Sequence, residues 1–167
     1  GGDFMKRGYL GIALLEPKFE ENLGTILRSA MDFDADFICT IGNRYKHQKT
    51  DTTKAEGHIP VFHYKDINDF LEHIPEKCTL VSVEVDAEEQ LETFTHPERA
   101  IYLFGGEDRS IPKDLQALGK AVKINTRFCL NLAVTASIVL YDVRTKNMHK
   151  KRFTDNSIVE QMQAIGH

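Results

Sequence analysis

Apolar positions along the chain follow two periods. Residues 9–15, YLGIALL, form an apolar run of strand length that Glu16-Pro17 closes. From Glu20 to Phe33, Leu23, Ile26, Leu27, Ala30 and Met31 recur at three- and four-residue spacing behind two acids, which predicts an amphipathic helix. Strand-length segments return at 36–42, 60–64, 79–85, 100–106 and 121–124, the third of them alternating as a strand with one wet face. Helices are predicted over 66–73 and, with a proline near its start, over 112–118. A long helix begins near Asn131 and stays apolar on several faces through Tyr141 before turning basic, so it is expected to be buried. Strands alternating with helices predict an α/β domain with a mostly parallel sheet flanked by helices. In such sheets a ligand lies beyond the carboxyl ends of the strands.

Length and composition narrow this picture. With 167 residues, 41% hydrophobic and 28% charged, the chain suits one globular domain and is too apolar for disorder. We place that domain at 5–152, read the Gly-Gly start over residues 1–4 as a cloning remnant, and expect a terminal helix or tail over 153–167. No apolar run approaches the roughly 18 residues that a membrane span requires. Cys39, Cys78 and Cys129 are odd in number, far apart and set in apolar sequence, which argues for a reducing compartment and a cytoplasmic protein. A net charge of −4 does not mark a nucleic-acid binder, yet its distribution is uneven. Basic residues cluster at 43–54, with Arg44, Lys46 and Lys49, and again at 144–152; both clusters are suited to phosphate. The acidic run at 84–98 reads most simply as a solvated face.

Three segments put Gly, Asn or a charge where a strand meets a helix or loop. In NLGTILRSA, Asn22 and Arg28 lie about two helical turns apart, and Gly24 permits close approach of another backbone. In LFGGEDRSIP, a strand empties into Gly105-Gly106-Glu107, where glycines let backbone groups reach a ligand or simply make a tight turn. In INTRFCLNLAV, Asn131 is placed to cap the long helix. The histidines form no metal-binding pattern and no metal is expected; neither GxGxxG nor a P-loop is present.

In this order and spacing, NLGTILRSA, LFGGEDRSIP and CLNLAVTASIVLYD resemble motifs 1, 2 and 3 of the SpoU/TrmH group of SPOUT RNA methyltransferases, over nearly all of residues 8–147. The resemblance implies an α/β knot fold with a deep C-terminal trefoil knot, S-adenosylmethionine as cofactor, a homodimer, and transfer of methyl to a ribose 2′-hydroxyl of tRNA or rRNA. Carried over by motif, Arg28, Asn22, Glu107 and Asn131 would be catalytic. Leu103, Gly105, Ile124, Leu130 and Ala133 would line the cofactor site. Arg44, Lys46 and Lys49 are the candidates for RNA phosphates. Two departures stand out: Ser110 where the family usually has Gly, and Cys129 where it usually has Ser. They keep open a catalytically weak RNA-binding relative; a base-modifying enzyme is the other alternative. With no appended RNA-binding domain in the match, the dimer surface or a helper protein would recognise the RNA.

Overall fold

The structure is a computed structural model that describes residues 8–44 and 59–154, with side chains described to residue 147. Seven strands form one parallel sheet: β1 (Tyr9–Leu15), β2 (Phe37–Ile41), β3 (Val61–Tyr64), β4 (Thr79–Val83), β5 (Glu89–Gln90), β6 (Arg99–Gly105) and β7 (Lys120–Lys123), in the order β3-β2-β1-β6-β4-β7-β5. Among the described residues four helices cover it: α1 (Glu20–Asp32), α2 (Ile67–His73), α3 (Lys113–Gln116) and α4 (Leu132–Thr154). The central pairing runs from Tyr9↔Arg99 to Leu15↔Gly105, so the apolar runs of β1 and β6 lie side by side with both faces covered.

Side chains of successive strand residues leave on opposite faces, and this splits the interior into two cores. On one face Ile12, Leu14, Tyr102 and Phe104 meet Leu23, Ile26 and Leu27 of α1 and Ala136, Val139 and Leu140 of α4. On the other, Ala13, Leu15, Ile101 and Leu103 meet Phe70 of α2 and Leu115 of α3. Truncating a fully buried residue such as Phe70 to Ala would cost about 3–5 kcal/mol.

Several local expectations need correction. The strand expected over 79–85 ends at Val83; just beyond it the backbone N–H of Glu84 still donates to the carbonyl of Val122 at 2.9 Å, and the Glu84 carboxylate accepts from the backbone N–H of Ile111 at 2.5 Å. The acidic run at 84–98 is not simply a solvated face: Ala87, Leu91, Phe94 and His96 are buried, and β5 and a 3-10 turn at Leu91–Thr93 lie within it. Asp86, Glu88, Glu89, Glu92 and Glu98 are exposed and Glu84 is half-buried, while four apolar or aromatic positions anchor the segment. Cys39 is buried, its thiol pushed up to about 12 by burial, whereas Cys129 is exposed rather than set in an apolar environment. All three cysteines are free thiols. The expected remnant at 1–4 and all but the start of the terminal segment at 153–167 lie outside the described residues, as do Lys46 and Lys49. No helix among the described residues is long and apolar enough to cross a membrane.

The long helix is pinned to the sheet by a buried polar group. His96 is hydrogen-bonded through Nδ1 to Tyr102 Oη at 2.5 Å and through Nε2 to Asp142 Oδ2 at 2.6 Å. A carboxylate only accepts, so Nε2 carries the proton and Nδ1 accepts from the tyrosine hydroxyl. Lys146 completes the group, pairing with Asp142 at 2.8 Å and donating to the carbonyls of Leu91 and Phe94. Burial holds the His96 imidazole below its ordinary value despite the carboxylate beside it.

Candidate functional site

At the carboxyl edge of β4 and β6 lies a cavity of about 530 Å³, walled by the residues after β4, the 105–110 turn and the 124–132 segment leading into α4. That volume is in the range of small-molecule sites. Its apolar lining comes from Val83, Val85, Ile124 and Leu130; Glu84, Glu107, Asn22 and Asn131 supply polar groups.

A hydrogen-bonded chain joins the three motifs at the rim. Asn131 Oδ1 accepts from the backbone N–H groups of Ala133 and Val134, at 2.8 and 3.1 Å, so the residue does cap α4. Its Nδ2 donates to Asn22 Oδ1 at 3.2 Å, and Asn22 Nδ2 donates in turn to Glu107 Oε2 at 2.8 Å. Glu107 then accepts the backbone N–H groups of Lys18 at 2.8 Å and Phe19 at 3.0 Å. Helix α1 begins after Phe19, which offers no capping side chain, so a glutamate from 88 residues further along the chain performs the capping. Burial works to raise the Glu107 carboxyl, but the donations from Asn22, Lys18 and Phe19 outweigh it and the group titrates below its usual range.

The glycines of the turn line the cavity and also meet a packing need. A Cβ at Gly105 would stand 2.1 Å from the carbonyl oxygen of Arg109, and one at Gly106 would stand 2.3 Å from that of Glu16. Both are required so that backbone can cross backbone. Gly24 shows the reverse: nothing lies within 4 Å of its missing Cβ, so the close approach expected there is absent within one copy of the chain.

Other candidate residues scatter. Gly105, Ile124 and Leu130 line the cavity, whereas Leu103 is enclosed in the core behind it and Ala133 packs into the core beneath α4. Arg28 is exposed on α1 outside the cavity lining, with no hydrogen-bond or ion-pair partner among the described residues. Arg44 donates from Nε to the carbonyl of Glu16 at 2.8 Å and pairs with Asp108. That guanidinium holds the Asp108 carboxyl down at about 2. Lining residues with no sequence signal of their own include Val83, Glu84, Val85 and Thr126; Cys129 and Ser110, noted only as departures from the motifs, also line the cavity. On α2, Asp69, Glu72 and His73 bring ligand-type atoms within 4.8 Å of one another, apart from this cavity.

Residues 9–141 match the SpoU rRNA Methylase family, and the chain belongs to that family. Among solved structures, one described in work on the 2-OH methylation of C/U34 on tRNA is 21% identical, with a TM-score of 0.76 over 84% of this chain and 97% of that one. The SpoU methyltransferase AviRb from Streptomyces viridochromogenes, in complex with AdoMet, is 18% identical, with a TM-score of 0.74 over 84% of this chain and 61% of its own. An AdoMet-bound rRNA methyltransferase from Sinorhizobium meliloti is 22% identical, with a TM-score of 0.72 over 83% and 56%. This chain therefore spans nearly all of the first but less than two thirds of the other two. At these identities the likeness is one of fold. No curated protein sequence matches the chain.

Proposed function

We propose that this chain is an S-adenosylmethionine-dependent RNA methyltransferase that modifies a ribose 2′-hydroxyl. The observation that carries the reading is the hydrogen-bonded chain from Asn131 through Asn22 to Glu107, which draws three sequence-distant motifs of the family to the rim of one cavity. The cavity suits the cofactor in size, in its apolar walls and in the backbone-lined turns at 105–110 and 124–132. When bound there, S-adenosylmethionine supplies a methyl on a sulfonium leaving group. Gly105, Ile124 and Leu130 would contact it, while Leu103 and Ala133 support those contacts from the core.

The protein's part is alignment and charge. Asn22, Glu107 and Asn131 hold the N-termini of α1 and α4 in one geometry, which fixes the cavity rim. Arg28 is the group for the RNA. A guanidinium titrates above about 12 and is a poor base, so it orients the ribose and its phosphate and stabilises charge developing on the attacking oxygen. Lys46 and Lys49 enter as phosphate contacts on charge alone; Arg44 enters with its guanidinium already given to Asp108 and Glu16.

A homodimer belongs to this reading, with Arg28 serving the partner's cavity. Supporting it is an apolar hollow between α1 and α4 lined by Phe33, Ala133, Val134, Ile138 and Tyr141, with Val134 47% and Tyr141 60% exposed. Open Gly24 lies one turn from Arg28 on α1, so the two share a helix face. The trefoil knot implied by the motifs is also retained, supported by family membership.

Labelled S-adenosylmethionine and unmodified RNA from the source organism test the proposal. Transfer to a ribose 2′-oxygen, reduced at least ~100-fold in Arg28→Ala at unchanged thermal midpoint, is expected. Label on a base would replace the ribose assignment with the base-modifying alternative. Cofactor binding without transfer to competent RNA would favour the binding-protein reading, for which Cys129 at the cavity wall is the motivation.

A further inference from the structure

Three carboxylates line the cavity, and they differ in what neutralises them. Asp108 faces Arg44, Lys18 and Arg109. Glu107 accepts three N–H donors, one from a side chain and two from backbone. Glu84 accepts only the backbone N–H of Ile111, through Oε1. Among the described residues its Oε2 has no hydrogen bond and the side chain has no ion pair. Its charged neighbours, Asp86 and Lys113, are paired with each other at 2.6 Å, which leaves little net field from them. Glu84 is also half-buried, and burial raises its carboxyl above the ordinary value. A half-buried carboxylate without a cation at a ligand cavity is costly to keep unless the ligand brings the charge.

We infer that Glu84 is the anionic contact for the cationic methionine half of the cofactor, through its free Oε2. The inference rests on the cofactor reading above. The residue is held for this from both ends: its backbone N–H donates to the carbonyl of Val122 on β7 at 2.9 Å, Ile111 N–H holds one carboxylate oxygen in place, and the side chain belongs to the cavity lining. The cofactor offers two positive groups, an ammonium and a sulfonium, and both belong to its methionine half. Adenine and ribose carry none.

Calorimetric titrations of the intact protein and Glu84→Gln test it. Glutamine retains an acceptor for Ile111 N–H and removes only the charge, and its thermal midpoint is expected within a degree or two of the parent. S-adenosylmethionine binding should weaken about tenfold in the variant. Binding of 5′-methylthioadenosine, which keeps adenine and ribose but lacks both charges, should stay within about twofold. S-adenosylhomocysteine assigns the group: an affinity that is unchanged places the carboxylate at the sulfonium, and one that falls with S-adenosylmethionine places it at the ammonium. Equal weakening of 5′-methylthioadenosine, or no weakening of S-adenosylmethionine, overturns the inference while leaving the cofactor reading intact. Failure of the parent protein to bind any of the three overturns both.

Discussion

Helix α4 is tied down by two polar groups that differ in setting. At its start, Asn131 reaches Asn22 and Glu107 along the rim of the cavity, with solvent on one side. Three turns on, Asp142 reaches His96 and Tyr102, where the imidazole is 1% exposed. The rim group satisfies helix termini that water would otherwise serve, so its loss is felt as geometry. In the interior group the imidazole is sealed from water, so its loss is felt as stability. On the proposed function, one helix carries a functional anchor and a structural anchor, and the two should separate by experiment.

The largest stability effect is expected at the interior. His96→Ala leaves the Tyr102 hydroxyl unpartnered and Asp142 with Lys146 alone, and should cost about 2–4 kcal/mol in denaturant unfolding. Methyl transfer per folded molecule should stay within about threefold of the parent. An equal loss of activity would merge the two anchors into one.

Next comes the rim. Glu107→Ala uncaps α1 from a distance and should cost about 1–2 kcal/mol, while transfer falls at least ~100-fold because Asn22 and the turn lose their fixed point. Unfolding midpoints and initial rates measured on the same preparation decide this. A fall in stability with full activity would remove the rim from the mechanism.

Acid separates the two groups by another route. His96 is held neutral, with its folded value below the ordinary 6.5, so the unfolded chain binds more protons in the interval between the two values. Stability is therefore retained above about pH 6.5 and declines as pH falls toward the folded value. His96→Gln should flatten that part of the midpoint-against-pH curve. An unchanged slope would assign the decline to other groups.

The smallest effect should be at Gly24. Alanine there improves helix propensity by up to about 1 kcal/mol and meets nothing within one copy of the chain. If α1 faces a partner, Gly24→Ala should weaken self-association in sedimentation equilibrium even as the isolated chain gains stability. A monomer in both forms would remove the homodimer from the proposed function.

Legibility in the sequence followed the range of the interactions. Among the described residues, periodicity located six of the seven strands and the four helices, because burial on one face or both leaves a local imprint. The two-residue β5 left none: its hydrogen bonds to β7 join an acidic stretch to a strand more than thirty residues later. Asn131 as a cap was readable for the same local reason, since a cap serves the next three residues. The motifs named Asn22 and Glu107 by resemblance, but their contact spans 85 residues and no local pattern shows it.

By itself, then, the sequence determined the layered α/β class, the alternation that divides the interior into two cores, and the family. Tertiary structure decided how the pieces are used. It made Gly105 and Gly106, which line the cavity, crossing points of backbone as well, and gave Arg44 to an ion pair. It also buried His96 within an acidic run and set Glu84 at the cavity without a counter-charge. The physical reason is common to all four. Periodicity records which side of an element meets the core, whereas hydrogen bonds and charge pairs depend on which distant atoms the fold brings within about 3 Å.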